Sequence, residues 1–270
     1  MNYKLIATDM DDTLLNKEHI ITKENKDSII MVQEKGVKFV LASGRPTFAM
    51  IDFAEELKMN KFGGYLLGFN GGEIIDLKER KKIFDKSLNF NDIKTIYNEA
   101  ISRNLSFLFY KDDTIYANEL NIYTEEEIIL TRMKYKRIVD IDKLEEMDTI
   151  KCMILGEPEK LTIAQKEIQE KYFDKYVVNI SKPIFMEFTC KGINKGESLK
   201  KLCEILDFDT KDIACIGDSY NDMSMLEIAG LPIAVENARE DLKKISKFIT
   251  TSNNNHAIKT VIDKFFFIEQ

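Results

Sequence analysis

The sequence predicts an α/β fold: a Rossmann-like parallel sheet in a three-layer αβα core, interrupted by an inserted α+β domain. Two observations lead to this prediction. Strand-like and helix-like segments alternate at both ends of the chain, which is typical of a parallel sheet covered by helices. The middle of the chain instead contains a hairpin pattern, which indicates antiparallel pairing.

The N-terminal segment supplies the first strand and helix alternation. Short apolar runs predict buried strands, and apolar residues spaced by three and four predict helices. Gly36 marks a helix end and Pro46 a helix start, while an Asn-Gly-Gly turn follows the third strand. The predicted elements are Lys4–Thr8, Thr22–Lys35, Val37–Ala42, Pro46–Lys58 and Tyr65–Phe69.

The C-terminal segment repeats the alternation. It begins with a helix and continues through two strands, each followed later by a helix. The predicted elements are Lys195–Leu206, Asp212–Ile216, Tyr220–Ala229, Leu231–Val235 and Asn255–Phe266. We therefore expect both ends to contribute to one sheet.

The middle segment differs in its pairing signals. A turn at residues 111–113 separates two short apolar runs, as in a β-hairpin. The predicted elements are Asn91–Arg103, Leu105–Tyr110, Thr114–Ala117, Ile150–Leu155, Glu157–Lys171, Tyr176–Ile180 and Ile184–Thr189. We expect residues 83–189 to form the inserted domain, and residues 1–82 plus 190–270 to form the discontinuous core.

Composition excludes several functional classes. The 270-residue chain has a net charge of −7 and no long basic segment, so we expect no nucleic-acid partner. No apolar run approaches the roughly 20 residues that span a bilayer, and the N-terminal residues do not resemble a signal peptide. For lack of a long apolar run we expect no membrane partner. The four cysteines form no C-x-x-C pair, which favours a reducing, cytoplasmic compartment. With two histidines and no tryptophan, a histidine triad or multi-histidine metal site is difficult to build.

The segment Asp9-Met10-Asp11-Asp12-Thr13 follows the first predicted strand. Two like charges 4 Å apart repel by about 4 kcal/mol at an effective dielectric near 20, and a divalent cation would offset that repulsion. Asp9 and Asp11 are two residues apart, so one could attack phosphorus while the other transfers a proton. An acidic surface turn with a capping role is the alternative interpretation.

Two further segments offer groups for a phosphate. Ser43, Gly44 and Arg45 follow the second strand, where a hydroxyl, backbone N–H groups and a guanidinium could hold an anion. Lys195 lies between Gly192 and Gly196 at a predicted helix start, where its ammonium could approach phosphate or balance a carboxylate. Each segment alone is also consistent with a simple role, as a helix N-cap or as an exposed lysine.

Residues 217–222 follow a third predicted strand. Asp218 and Asp222 could supply oxygen ligands for Mg²⁺, and Asn221 could donate to phosphate. A helix cap would account for one acidic residue but not for two beside an asparagine. Because ligands bind at the carboxyl ends of parallel strands, the four segments together predict one magnesium and phosphate site.

These motifs resemble those of the haloacid dehalogenase superfamily of phosphohydrolases. Asp9–Thr13, Ser43, Lys195 and the Gly217–Asp222 segment match the four motifs of the superfamily in order and spacing. The Asn70-Gly71-Gly72 turn and the long insertion are similar to its Cof-type branch, in which an α/β cap domain closes over the site. The resemblance covers nearly the whole chain.

The resemblance implies roles for the acidic residues. Asp9 would be the nucleophile and a metal ligand, and Asp11 the general acid–base, with its backbone carbonyl on the metal. Asp218 and Asp222 would hold Mg²⁺ directly or through its water shell. Asp12 departs from the commonest pattern, because glycine is more usual at that position.

The resemblance also implies the phosphate-holding residues, namely Thr13, Ser43, Lys195 and Asn221. The implied reaction is Mg²⁺-dependent hydrolysis of a small phosphorylated metabolite, such as a sugar phosphate or phosphorylated cofactor, through an aspartyl-phosphate. A sugar phosphomutase on the same core and a non-catalytic phosphate-ligand sensor are the alternatives. Substrate choice is expected to lie in the cap, where the candidates are Tyr110, Tyr116, Tyr123, Arg132 and Lys182; the oligomeric state is not predicted.

Overall fold

The structure, a computed structural model, describes residues 3–267. These residues fall into two compact units, one made of 3–84 and 194–267 and the other of Asp85–Ile193. The sequence placed the two divisions after residues 82 and 189, and the structure places them after residues 84 and 193.

The described strands and helices follow each other in the alternating order described above. The strands are β1 (Leu5–Thr8), β2 (Lys38–Ala42), β3 (Tyr65–Gly68), β4 (Glu73–Asp76), β5 (Lys81–Asp85), β6 (Ser106–Lys111), β7 (Thr114–Ala117), β8 (Lys134–Arg137), β9 (Lys151–Leu155), β10 (Tyr176–Lys182), β11 (Phe185–Cys190), β12 (Ile213–Gly217), β13 (Leu231–Ala234) and β14 (Phe248–Ile249). The helices are α1 (Lys23–Glu34), α2 (Ile51–Glu56), α3 (Met59–Phe62), α4 (Phe90–Ser102), α5 (Ile122–Thr131), α6 (Pro158–Lys171), α7 (Lys195–Leu206), α8 (Met223–Ile228), α9 (Glu240–Ile245) and α10 (Ala257–Phe265). None of these described helices combines the length and apolar content needed to cross a bilayer.

The first unit is built on a sheet whose described strands have the order β14-β13-β12-β1-β2-β3-β4-β5. The strands from β14 to β3 are parallel, and β4 joins β3 in the antiparallel sense. The α/β class with a parallel sheet core is therefore confirmed. The antiparallel β4 was not predicted; the prediction for this region ended at the Asn70-Gly71-Gly72 turn that precedes it.

Strand β1 lies at the centre of this sheet because its four residues are apolar or small and fully buried. Both neighbours are parallel to it, so helices cover both faces and every position in the strand is inside. Thr8, its last residue, pairs with Ile216 of β12 on one side and with Leu41 of β2 on the other. The segments that follow these three strands therefore emerge side by side at one edge of the sheet.

Helix α7 brings a lysine to the core of the same unit. The Asn194 side chain accepts the Glu197 N–H at 2.8 Å, which caps the helix and fixes Lys195 as its first residue. Leu199, Leu202 and Cys203 anchor the helix in the core of the unit.

The second unit is a sheet with the described strand order β10-β11-β9-β6-β7-β8, antiparallel except for the β7–β8 pair. Helices α4 and α6 pack against this sheet, and its core includes Phe107, Phe109 and Phe188. Asn89 and Asp92 form a reciprocal capping box that starts α4. Helix α5 and strand β8 had no sequence prediction.

Candidate active site

Asp9 leaves β1 at the carboxyl edge of the sheet. Its N–H donates to the Ile216 carbonyl at 2.9 Å, which continues the β1–β12 pairing by one residue. The side chain is only 6% exposed. Burial and the neighbouring Asp222 and Asp218 carboxylates raise the pKa of Asp9 well above its usual range, against the opposing charge of Lys195.

The turn after Asp9 is irregular and is held by buried neighbours. Met10, Thr13 and Leu14 are buried, while Asp12 adopts a left-handed backbone with φ of +58°. Glycine adopts that conformation without steric conflict, and aspartate tolerates it better than most residues. Aspartate at position 12 is therefore compatible with this turn, and its side chain is exposed.

Lys195 is fully buried between two carboxylates. Its Nζ lies 2.5 Å from Asp9 Oδ1 and 2.6 Å from Asp222 Oδ1. Burial by itself would lower the pKa of Lys195, but the charges of Asp9 and Asp222 outweigh it and raise the pKa above its ordinary range. The lysine is thus a fixed ammonium within the cluster.

Asp222 is held from two sides. Its Oδ2 accepts the Asp218 and Ser219 N–H groups at 2.9 and 3.1 Å, while its Oδ1 faces Lys195. Its side chain also packs against Gly217, where a Cβ would collide with it. Asp222 therefore fixes both Lys195 and the backbone that presents Asp218.

Asp218 completes the acidic group. The Thr13 hydroxyl donates to its Oδ1 at 2.8 Å. Burial raises the pKa of Asp218 to about 6; the Thr13 hydrogen bond opposes this shift and the Asp222 and Asp12 charges add to it.

Asp9, Asp218 and Asp222 fit a divalent cation. One oxygen of each lies within 4.8 Å of the others. When ionised, these three carboxylates and the Lys195 ammonium leave two negative charges, and carboxylate oxygens are the ligands that Mg²⁺ prefers. Among residues 3–267, Oδ2 of Asp9 and Oδ2 of Asp218 accept no hydrogen bond, which leaves both available to a cation or a substrate.

Asp11 lies outside this three-carboxylate group and pairs with Arg45. The guanidinium donates from Nε to Asp11 Oδ2 at 2.9 Å and from Nη2 to Asp11 Oδ1 at 2.6 Å. The sequence predicted both residues for the site but not this bidentate pair. Arg45 holds the Asp11 carboxylate in a defined orientation two residues from Asp9.

The Ser43 loop is joined to the Asn70-Gly71-Gly72 turn, which was predicted as a turn and as a feature of the family resemblance but not as part of the site. Buried Ser43 accepts the Arg45 N–H at 3.2 Å through its Oγ. Asn70 lies against Gly44, and the Asn221 side-chain amide donates to Asn70 Oδ1 at 3.0 Å. The signal that could have revealed Asn70 is the Asn-Gly-Gly sequence directly after β3.

In the second unit, the proposed specificity residues have structural partners. The Tyr110 hydroxyl donates to Glu127 at 2.6 Å, and the Tyr116 ring stacks on Phe109 with centroids 5.0 Å apart. Lys182 forms an ion pair with Glu126 at 3.3 Å.

A buried ion pair between Lys151 and Glu187, 2.9 Å apart on adjacent strands, was not predicted in this unit. Lys151 lies within an otherwise apolar run of strand residues, where the sequence indicated only burial.

Comparison with known proteins places these features in one family. The chain matches the family described as haloacid dehalogenase-like hydrolase over residues 6–262. It is 34% identical to a Streptococcus pyogenes protein provisionally named a phosphatase, covering 98% of this chain and 99% of that protein. It is 32% identical to a 5-amino-6-(5-phospho-D-ribitylamino)uracil phosphatase of Bacillus subtilis, covering 97% of this chain and 95% of that protein.

A solved structure of a haloacid dehalogenase-like hydrolase from Bacteroides thetaiotaomicron is similar over the same length. Its TM-score is 0.94 at 35% identity, and the match covers 98% of this chain and 100% of the other.

Magnesium affinity should depend on pH because the ligands must lose their protons. The pKa of Asp218 is about 6, so its carboxyl is mostly protonated below that pH. A cation must displace that proton, and we expect Mg²⁺ affinity to fall by up to ~10-fold per pH unit below about 6. Calorimetric titration at pH 7.5 and 5.5 measures the change. Equal dissociation constants at the two pH values would contradict this assignment, and Asp218→Asn should flatten the dependence.

Removing the buried ammonium should destabilise the fold. Lys195→Met leaves Asp9 and Asp222 buried without their cation, so in EDTA we expect about 3–5 kcal/mol less free energy of unfolding. Lys200→Met is the matched control, because this half-exposed lysine of α7 pairs only with Glu197 at the surface and should change stability by about 1 kcal/mol or less. Urea denaturation of both variants measures the difference, and equal losses would refute a central role for Lys195.

Proposed function

This chain belongs to the haloacid dehalogenase-like hydrolase family, and we propose that it is a Mg²⁺-dependent phosphomonoesterase that uses Asp9 as a covalent nucleophile. One relative is named a 5-amino-6-(5-phospho-D-ribitylamino)uracil phosphatase and another is provisionally named a phosphatase, so the enzyme class is that of a phosphatase. The nucleophile, the metal ion and the substrate are the parts of this proposal that go beyond the family.

One observation supports the nucleophile above all: Asp9 is buried, held through Oδ1 by Lys195, and keeps Oδ2 without a hydrogen bond among the described residues. A fixed carboxylate with one available oxygen is pre-organised for in-line attack. Asp222 is buried too, but all its oxygens accept hydrogen bonds.

In the proposed first step, Asp9 Oδ2 attacks phosphorus and the phosphorus–oxygen bond to the leaving group breaks. The leaving oxygen takes a proton from the Asp11 carboxyl, which becomes a carboxylate. Arg45 holds that carboxylate through two hydrogen bonds, so the Asp11–Arg45 pair stabilises the product side of this proton transfer.

In the proposed second step, Asp11 takes a proton from water while the water oxygen attacks phosphorus. The bond between phosphorus and Asp9 breaks, inorganic phosphate leaves, and both carboxyl groups return to their starting states. Asp11 thus serves as acid and then as base, which requires one side chain to remain beside the reacting atoms through both steps.

A bound Mg²⁺ would neutralise charge on the transferring phosphoryl group and weaken the repulsion between it and Asp9. Asp218 would hold the ion through its available Oδ2, and Asp9 would hold it through Oδ1, which leaves Asp9 Oδ2 for the attack on phosphorus. Asp222 would act indirectly by positioning the groups around the ion, because its own oxygens accept hydrogen bonds from Lys195 and from the backbone of residues 218–219. The Asp11 backbone carbonyl completes the proposed ligand set.

For the phosphate itself, we propose Ser43, Gly44 and Arg45 with Lys195, Thr13 and Asn221. Ser43 and Lys195 contribute a hydroxyl and an ammonium at the same sheet edge, which suits an oxyanion. Thr13 acts through Asp218, to which its hydroxyl is bonded.

The substrate class that we propose is a primary phosphate ester of a sugar or polyol. Its support is the similarity, at 32% identity, to a 5-amino-6-(5-phospho-D-ribitylamino)uracil phosphatase, whose substrate carries its phosphate on a ribityl chain. Phosphate release from that compound, sugar 6-phosphates, flavin mononucleotide and pyridoxal phosphate, with Mg²⁺ and with EDTA, tests this class. We expect release from the sugar and polyol esters in Mg²⁺ only; release only from other esters would contradict the assignment.

The nucleophile is tested by changing its charge with little change in shape. Asp9→Asn should lower kcat by at least ~10³-fold, because an amide cannot form the aspartyl-phosphate. Asp12→Asn is the matched control, since this exposed neighbour lies in the same turn and tolerates either residue; we expect activity within a few-fold of the wild type. Turnover by Asp9→Asn at the rate of the control would rule out the covalent scheme.

A further inference from the structure

We infer that Asn70 is a further substrate-binding and positioning residue of this site: its amide orients Asn221 and adds a side-chain donor for the substrate phosphate. This inference rests on the proposed phosphatase function and names a residue outside the four motifs that identify the family. Its support is the set of contacts made by the segment Phe69-Asn70-Gly71.

The backbone of this segment is strained. Phe69 and Asn70 both lie in the left-handed region, with φ of +52° and +56°, and Gly71 follows with φ of +100°. Two successive non-glycine residues in that region are unusual, and such strain persists only where the surroundings enforce it. Asparagine tolerates the conformation, but phenylalanine gains nothing from it.

The Ser43 loop enforces this conformation from one side. The Phe69 N–H donates to the Arg45 carbonyl, and the Asn70 N–H donates to the Ser43 carbonyl, each at 2.9 Å. Two backbone hydrogen bonds therefore connect the strained segment to the Ser43 loop, which we propose as part of the phosphate-binding site.

The helix that carries Lys195 holds the segment from the other side. The Ser198 hydroxyl donates to the Gly71 carbonyl, and a Cβ on Gly71 would collide with the Asn194 carbonyl. Asn194 caps that helix immediately before Lys195. One short turn thus fixes the distance between the Ser43 loop and the start of α7.

The Asn70 side chain connects this turn to a third segment. Its Oδ1 accepts the Asn221 amide at 3.0 Å, and its amide group lies 3.2–3.3 Å from the place where a Cβ of Gly44 would be. A Cβ at that place would be in tight contact with the amide, which would then have to shift by a few tenths of an ångström. Asn221 is exposed, and among the described residues its side chain forms a hydrogen bond with Asn70.

The remaining amide hydrogens are available to a ligand. An asparagine side chain carries two N–H donors, and within residues 3–267 Nδ2 of Asn70 meets no protein acceptor. The backbone hydrogen bond of Asn70 is sufficient to hold the turn. The side-chain amide beside Gly44 and Asn221 is not needed for that structural role. A phosphate oxygen is the acceptor expected beside Ser43.

The test removes the amide without disturbing the backbone. Glycine adopts a positive φ freely, so Asn70→Gly deletes the side chain and keeps the turn. Losing a hydrogen bond to a charged group should raise both KM and the inhibition constant for inorganic phosphate by about 10-fold or more, with a smaller change in kcat. Asn70→Asp keeps the shape but replaces a donor with a negative charge, and should weaken phosphate binding further.

Asn104→Gly is the matched control. Asn104 is an exposed asparagine with φ of +55° in the other compact unit, so its replacement should leave KM and the phosphate inhibition constant unchanged. A positioning role also predicts coupling: Asn70→Gly with Asn221→Ala should cost less in phosphate affinity than the product of the two single effects.

The outcomes separate this inference from the proposed function. Active wild-type enzyme with an unchanged phosphate inhibition constant in Asn70→Gly would overturn the inference and leave the phosphatase intact. Loss of activity with a lowered thermal midpoint and unchanged phosphate affinity would also overturn it, because that marks a structural turn. If the wild type releases no phosphate, the proposed function fails, and calorimetric binding of inorganic phosphate with Mg²⁺ to wild type and Asn70→Gly still decides the role of Asn70.

Discussion

The arrangement of this site depends on one buried ammonium, Lys195, held between Asp9 and Asp222. A carboxylate taken out of water is unstable unless it is paired, and two adjacent carboxylates repel each other as well. The charge of Lys195 offsets both penalties. Without the two carboxylates, the buried ammonium would itself be unstable. The three groups therefore require each other, and the site can be assembled only when the folded chain brings β1, α7 and the segment after β12 together.

The sheet topology provides that assembly. Because β1 lies between β12 and β2 in parallel register, the residues that follow these strands meet at one edge although they are far apart in sequence. The same strand register brings Thr13 to Asp218 in the segment after β12, and Asp11 to Arg45 in the segment after β2. Each proposed reacting group is thus held by a residue from a neighbouring segment, and the orientation is set before any ligand binds.

The sequence was sufficient for the fold and for the residues that carry charge. Strong apolar runs bounded by turn residues predicted β1 and β12, and the spacing of the acidic motifs predicted the family, which the comparisons confirm. Strand β4 was missed because it has only two apolar residues and lies close behind a turn, and β8 was missed because its residues are mostly charged and exposed. The pairing of Asp11 with Arg45 and the contact of Asn70 with Asn221 could not be predicted, because both depend on how separate loops approach each other in the folded chain.

The central claim is that Asp9 is the nucleophile and forms an aspartyl-phosphate. Chemical trapping of that intermediate tests the claim most directly. A single turnover of an active phosphate ester is quenched in acid and treated with borohydride, which reduces an aspartyl-phosphate to homoserine. Peptide mass spectrometry then locates the modified residue. We expect homoserine at position 9, formed only when substrate is present. An unmodified Asp9 throughout the time in which phosphate is released, or modification of a different residue, would contradict it.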